Sequence, residues 1–212
     1  MRSVVLAVLV SLVLAGCAAK RETVVVSASQ VEIVDDGGAG QVIRPADQAR
    51  IDALPAIWQA AWGKSPGRAR TAEGALLEPG AALDHPELSP GSYNCRLIRL
   101  GRRAGARRMR SFPTHFCHVG TSNGELNFTK QTGSDLPAGH LYKTEKRYTF
   151  VGALQRAEGD NSLVYGTDQA RDVTGVVERV GPFRWRMVVP MGEQDLDVLE
   201  LTPVPVERQA SS

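Results

Sequence analysis

The sequence predicts a mainly β chain with N-terminal helices, folded as a single antiparallel β barrel or half-barrel of about eight strands. Three observations predict it. After Pro90 helical spacing gives way to short runs rich in Val, Tyr, Phe and Thr, separated by Gly, Asn and Pro. Asn123-Gly124 and Gly181-Pro182 stand between successive runs, which calls for short antiparallel connections, and no long helical crossover interrupts the series. An open sheet of that many strands leaves exposed edges, and closing it removes them. At 212 residues the chain has the length of about one domain with a core of its own. With 42% hydrophobic and 23% charged residues it is globular in composition, and a net charge of +2 gives no broad footprint for nucleic acid.

The elements follow in chain order. Residues 1–16 open with Met1, Arg2 and Ser3 and continue without charge from Val4 to Gly16, the form of a secretory signal. The run is shorter than the roughly 20 apolar residues that span a bilayer. Leu14-Ala15-Gly16-Cys17 resembles the lipobox of bacterial lipoproteins. That resemblance implies removal of the signal and lipid on Cys17, the membrane partner of the chain. Ala18 and Ala19 follow Cys17 where inner-membrane retention uses Asp, so the expected location is the outer membrane, facing the periplasm. Cys95 and Cys117 then lie in an oxidising compartment and are expected to pair. Residues 17–44 read as lipidated N-terminus and tether, with the valines of 24–34 able to dock as an edge strand instead.

Residues 45–84 read as helical. Pro45 suits a first helical position, and Ile51, Leu54, Trp58 and Trp62 recur at spacings of three and four, one apolar face with Gly63 as a stop. Pro55 should kink or divide this helix. A second, weaker helix starts at Ser65-Pro66, carries Ala69, Ala72, Leu76 and Leu77 with Gly74 inside it, and ends at Pro79.

Residues 85–204 form the β domain, and 205–212 a flexible tail. Strands are expected near 92–100, 107–119, 125–131, 139–154 (two), 163–166, 172–180, 183–190 and 196–202. Phe183, Trp185, Met187 and Val189 alternate with Arg184 and Arg186, giving one buried and one wet face; Leu126 and Phe128 alternate likewise with Glu125, Asn127 and Thr129. The opening Gly91-Ser92-Tyr93-Asn94-Cys95 is similar, as a fold analogy, to the first strand of lipocalin-like barrels.

From about Asp47 to Pro203 the chain resembles the bacterial family known as domain of unknown function 4893. The resemblance rests on Trp58 in its helix, the Cys95 and Cys117 pair, Thr132-Gly133-Ser134 followed by Gly139-His140-Leu141-Tyr142, and the runs Gly175–Gly181 and Leu196–Leu201. Asp135-Leu136-Pro137-Ala138 departs from the more polar residues of the family at that position. The resemblance implies an exported single domain and brings no catalytic residue with it.

Four groupings carry chemistry to be weighed. His115, Cys117 and His118, with Cys95, are zinc-type ligands, but on a strand His118 points away from the other two. Ser134, Asp135 and His140 are the components of nucleophilic catalysis, without the strand-to-helix elbow that frames such a serine. Asp195 and Asp197 share a strand face about 7 Å apart, with Glu200 nearby, a separation compatible with glycan hydrolysis. The run Arg96 to Arg110 is the most distinctive: Arg102, Arg103, Arg107, Arg108 and Arg110 surround Gly101 and Gly105 in a flexible hairpin tip that can clasp phosphate or carboxylate.

The sequence therefore points to a lipid-anchored envelope protein acting by binding and without catalytic residues, metal or cofactor. Its ligand is expected to be a small amphiphile in the barrel mouth or an anionic envelope component at the arginine tip. A packed barrel serving as an interaction module, such as an accessory factor or an inhibitor of a periplasmic hydrolase, is the alternative from another class; a hydrolase is the third. Nucleic acid is not an expected partner.

Overall fold

Prolines and glycines punctuate the N-terminal helices. A computed structural model describes residues 38–160, 164–205 and 207; the signal, Cys17, the tether to residue 37 and all but 205 and 207 of the tail lie outside them. The helices are α1 Ala39–Val42, α2 Pro45–Asp52, α3 Leu54–Lys64 and α4 Gly67–Glu73, followed by a 3-10 turn at Gly74–Leu76. Pro45 and Pro55 both sit at the start of a helix, where a missing N–H costs no intrahelical bond, so Pro55 divides the stretch into α2 and α3. Gly63 does not stop α3, which runs on to Lys64. Gly74 ends α4 with φ +55°, a conformation that suits a residue without a side chain.

Eight strands follow: β1 Gly91–Leu100, β2 Met109–Ser122, β3 Glu125–Lys130, β4 Pro137–Lys143, β5 Tyr148–Leu154, β6 Asp172–Gly181, β7 Arg184–Gly192 and β8 Asp195–Pro203. Each pairs antiparallel with the next, and β8 returns to β1 along Tyr93–Leu100, so the barrel is closed. Residues 164–166, the described part of the strand expected at 163–166, form no strand and belong to the β5–β6 connection. The backbones of β4 and β5 approach closely where two glycines face each other. Gly139 pairs with Gly152, and a Cβ on Gly139 would stand 2.3 Å from the Val151 carbonyl oxygen. Glycines at such a corner let the backbones approach. The T-shaped pair Phe128 and Phe150, 6.0 Å between centroids, belongs to the interior cluster beside them.

The core has two layers. Inside the barrel, Tyr93, Cys95, Cys117, Phe128, Phe150, Trp185, Met187 and Leu201 pack with others into a single cluster. Outside it, Ile98, Leu100, Val151, Val176, Val188 and Val198 from five strands meet Ile51, Leu54, Ile57, Trp58 and Ala61 from α2 and α3. This second layer corrects the expected wet face of β7. Arg186 is 1% exposed, because the helical segment covers the outer surface where it projects. It also corrects the end of the tether: Ala39 and Ile43 are buried, and Ile43 joins the outer layer.

The two ends of the barrel differ. At one end the β2–β3, β4–β5 and β6–β7 turns are short, and the segment leading into β1 closes the interior. There Trp185 Nε1 donates to the Pro86 carbonyl at 3.0 Å, Tyr93 OH donates to the Ser89 carbonyl at 2.7 Å, and Leu88 joins the interior cluster. The connections β1–β2, β3–β4, β5–β6 and β7–β8 ring the other end, the mouth.

Candidate functional site at the barrel mouth

Strand alternation aims charged side chains into the mouth. On β1 the inward series Tyr93, Cys95, Leu97 ends at Arg99, and on β8 the inward series Leu201, Leu199 ends at Asp197 and Asp195. Arg99 holds Asp197 by both oxygens, Nε to Oδ1 and the second nitrogen to Oδ2, each at 2.8 Å, and reaches Asp135 Oδ2 at 3.1 Å. Its hydrogen bonds to Asp197 raise the guanidinium pKa above its ordinary value, against the opposing effect of burial. Asp195 Oδ1 accepts from the Arg103 backbone N–H at 2.8 Å, and Arg102 approaches the other oxygen at 3.9 Å.

The arginine connection, expected as a hairpin tip, is a hydrogen-bonded loop between β1 and β2. A 3-10 turn at Arg102–Ala104 leads through Gly105 to Arg108, with Gly101 N–H donating to the Arg108 carbonyl at 2.9 Å and Ser65 Oγ to the same carbonyl at 3.1 Å. Gly101, at φ +98°, lies so close to the β7–β8 turn that a Cβ would meet the Gln194 carbonyl oxygen at 2.1 Å. The five expected anion ligands divide accordingly. Arg103 contacts Asp197 at 3.3 Å and Arg102 approaches Asp195. Arg107, Arg108 and Arg110 meet no carboxylate within ion-pair distance among the described residues, and Arg110 lies over the Phe112 ring at 4.7 Å.

One cation in the mouth escaped the sequence reading. Lys130 ends β3 on the same inward parity as Leu126 and Phe128 and is 2% exposed. Extending that alternation by one step would have found it. Its ammonium donates to the Thr132 carbonyl at 2.9 Å and to the Ser134 carbonyl. Burial pushes its pKa below the ordinary lysine value, with Asp135 and Glu158 pulling the other way. Arg103, Lys130, Asp135 and Asp197 border a pocket of about 70 Å³, whose wall includes Leu97, Leu154, Val173, Met187 and Leu199.

The remaining groupings are dispersed. Cys95 and Cys117 form a disulfide across β1 and β2, Cα to Cα 5.9 Å, so their thiols are spent. His118 is exposed on the outer face of β2, and His115 turns toward Gly133. Ser134 lends its carbonyl to Lys130 and Asp135 its carboxylate to Arg99, while His140 stands on β4 at 4.0 Å from Glu125. Asp195 and Asp197 face the mouth together, each engaged by arginine. Glu200 lies on the other face of β8 between Arg96 and Arg184. Of the tryptophans, Trp58 is core and Trp62 is half-buried under Arg70, 3.8 Å from its ring centroid.

No curated protein and no solved structure matches the chain. A family model described as Domain of unknown function (DUF4893) matches residues 40–201, from α1 into β8. Both core layers, the disulfide and the mouth fall within that match, and the chain belongs to the DUF4893 family.

Proposed function

We propose that the protein is a lipoprotein of the outer membrane, held by lipid on Cys17 and facing the periplasm, and that its barrel mouth binds an anionic component of the envelope without chemical turnover. The observation that carries the reading is the arginine loop. Hydrogen bonds fix its backbone, yet Arg107, Arg108 and Arg110 have no carboxylate counter-charge among the described residues. Guanidinium groups on a hydrogen-bonded loop can offer paired donors to phosphate or carboxylate without reordering its backbone. An amphiphile enclosed in the barrel is less favoured, since small-molecule pockets run to about 300–1,000 Å³ and the space here is about 70 Å³. A protein partner is the second reading. The filled interior supports it, because it leaves the outside to act; Phe116 at 53% and Phe183 at 74% exposure lie on separate elements, not in one patch.

The test is co-sedimentation of the protein with peptidoglycan sacculi, and with vesicles carrying anionic or only zwitterionic lipid, across a salt series. Arg107→Ser combined with Arg108→Ser and Arg110→Ser is expected to remove salt-sensitive binding to the anionic material; equal binding by that variant refutes the loop. Cys17→Ser is expected to release the protein from membranes, and lipid labelling that persists in that variant overturns the anchor.

A further inference from the structure

The buried ammonium of Lys130 has a polar valence that nothing described in the chain fills. An ammonium has three N–H donors and no acceptor. Two of those donors go to the neutral carbonyls of Thr132 and Ser134, and no carboxylate lies within ion-pair distance of the third among the described residues. The acids nearby are committed elsewhere: Asp197 gives both oxygens to Arg99 and shares one with Arg103, Asp135 contacts Arg99, and Glu158 accepts from the Gly133 N–H. Arg103 in turn spends one terminal nitrogen on Asp197. The third donor belongs to a buried, positively charged group at the pocket. Asp135 and Glu158 act on it only from a distance, and a buried charge with no counter-charge in contact favours an anionic acceptor over a neutral one.

The rest of the pocket sets the body of the ligand. Its wall is aliphatic and thioether, from Leu97, Val173, Met187, Met191 and Leu199. A volume of about 70 Å³ admits a body of only a few carbons, although methionine side chains adapt readily to an occupant. Arg103 and Asp135 are partly exposed, so the pocket reaches the surface at the mouth.

We propose that this pocket is a receptor for one carboxylate on a small apolar body, with the carboxylate between Lys130 and Arg103 and the body against Met187 and Leu199. The site goes beyond the arginine-loop reading, since it needs neither Arg107 nor the lipid anchor. A free short acid and the C-terminus of a small-residue peptide present the same chemistry. Butanoate stands for the first source and N-acetylalanine for the second, with 1-butanol as the neutral body.

The experiment is calorimetric titration of the protein with each of the three, repeated on Lys130→Met and on Lys146→Ser, an exposed lysine of the β4–β5 turn at the closed end. Saturable binding of butanoate or N-acetylalanine, weakened about tenfold or more by Lys130→Met and unchanged by Lys146→Ser, is the expected result. Whichever acid binds more tightly names the source. Butanol binding as well as butanoate, no saturable binding of either acid, or full binding by Lys130→Met overturns the proposal. If Lys130→Met does not fold, the Lys130 ammonium resonance of the unaltered protein decides: a shift on adding acid supports the site, and none refutes it. The combined Arg107, Arg108 and Arg110 variant on sacculi reports separately on the loop, so one reading can fail without the other.

Discussion

The guanidinium carbon of Arg186 lies 4.2 Å from the ring centroid of Trp58, which sets a β7 cation against α3 with almost no solvent between them. Nε and one terminal nitrogen of Arg186 bond Glu178 Oε2 at 2.9 and 2.8 Å, and the other terminal nitrogen bonds the Ala75, Leu76 and Glu78 carbonyls. Burial pulls the guanidinium pKa down, opposed by Glu178. One side chain thus holds the helical layer to the barrel. Arg186→Leu leaves Glu178 and three carbonyls without their donor and is expected to cost about 3–5 kcal/mol. Chemical denaturation measures it, and a loss under about 1 kcal/mol would remove Arg186 from this role.

The disulfide Cys95–Cys117 closes 22 residues of sequence inside the barrel. Restricting the unfolded chain over a loop of that length contributes about 3 kcal/mol. Reduction should therefore lower the denaturation midpoint. A midpoint indifferent to reductant would show that the strand pairing alone carries this part of the barrel.

Strand positions were legible because period-two patterns survive in the sequence: seven of the expected runs, one of them split in two, became the eight strands. What was hidden is the second layer. Arg186 alternates with Trp185 and Met187 and so reads as wet, yet α3 and the 3-10 turn cover it, and a charge pattern along one strand carries no record of that cover. The mouth was half legible. The arginine loop stands out in composition, but the pairing of Arg99 and Arg103 with Asp197 joins residues more than ninety positions apart. Strand register decides such contacts, and spacing in the sequence does not.

Gly139 and Gly63 should respond to alanine in opposite directions. At Gly139 the new methyl would stand 2.3 Å from the Val151 carbonyl oxygen and 2.5 Å from the Gly152 Cα, both backbone atoms of the neighbouring strand. Overpacking of that kind costs about 1–3 kcal/mol or more. Gly63, near the end of α3, has nothing within 4 Å of where a methyl would stand, and alanine there is expected to add up to about 1 kcal/mol of helix preference. Melting curves of the two variants test the pair, and a neutral Gly139→Ala would mean that the β4–β5 corner yields more easily than its backbone spacing implies.

Asp47 supplies the acid-sensitive joint between α2 and the barrel. Its Oδ2 accepts from Arg44 at 3.0 and 2.8 Å, its carboxylate also accepts from Arg50 and from the Tyr165 hydroxyl, and Arg44 reaches on to Asp172 at 2.7 Å. Burial by itself would raise the carboxyl pKa, but the hydrogen bonds from Tyr165, Arg44 and Arg50 outweigh it and leave the folded value below the ordinary 3.8. The proton therefore binds more weakly to the folded than to the unfolded chain. The stabilisation is complete above about 3.8 and is lost as pH falls through the lower folded value. Asp47→Asn keeps the shape and removes the charge, and should cost about 1–3 kcal/mol at neutral pH. The gap between the two proteins should stay constant down to about pH 4 and narrow below it. Urea unfolding of both across that range measures the gap, and a constant gap into strong acid would mean that hydrogen bonding to the neutral side chain, and not the carboxylate charge, holds α2 in place.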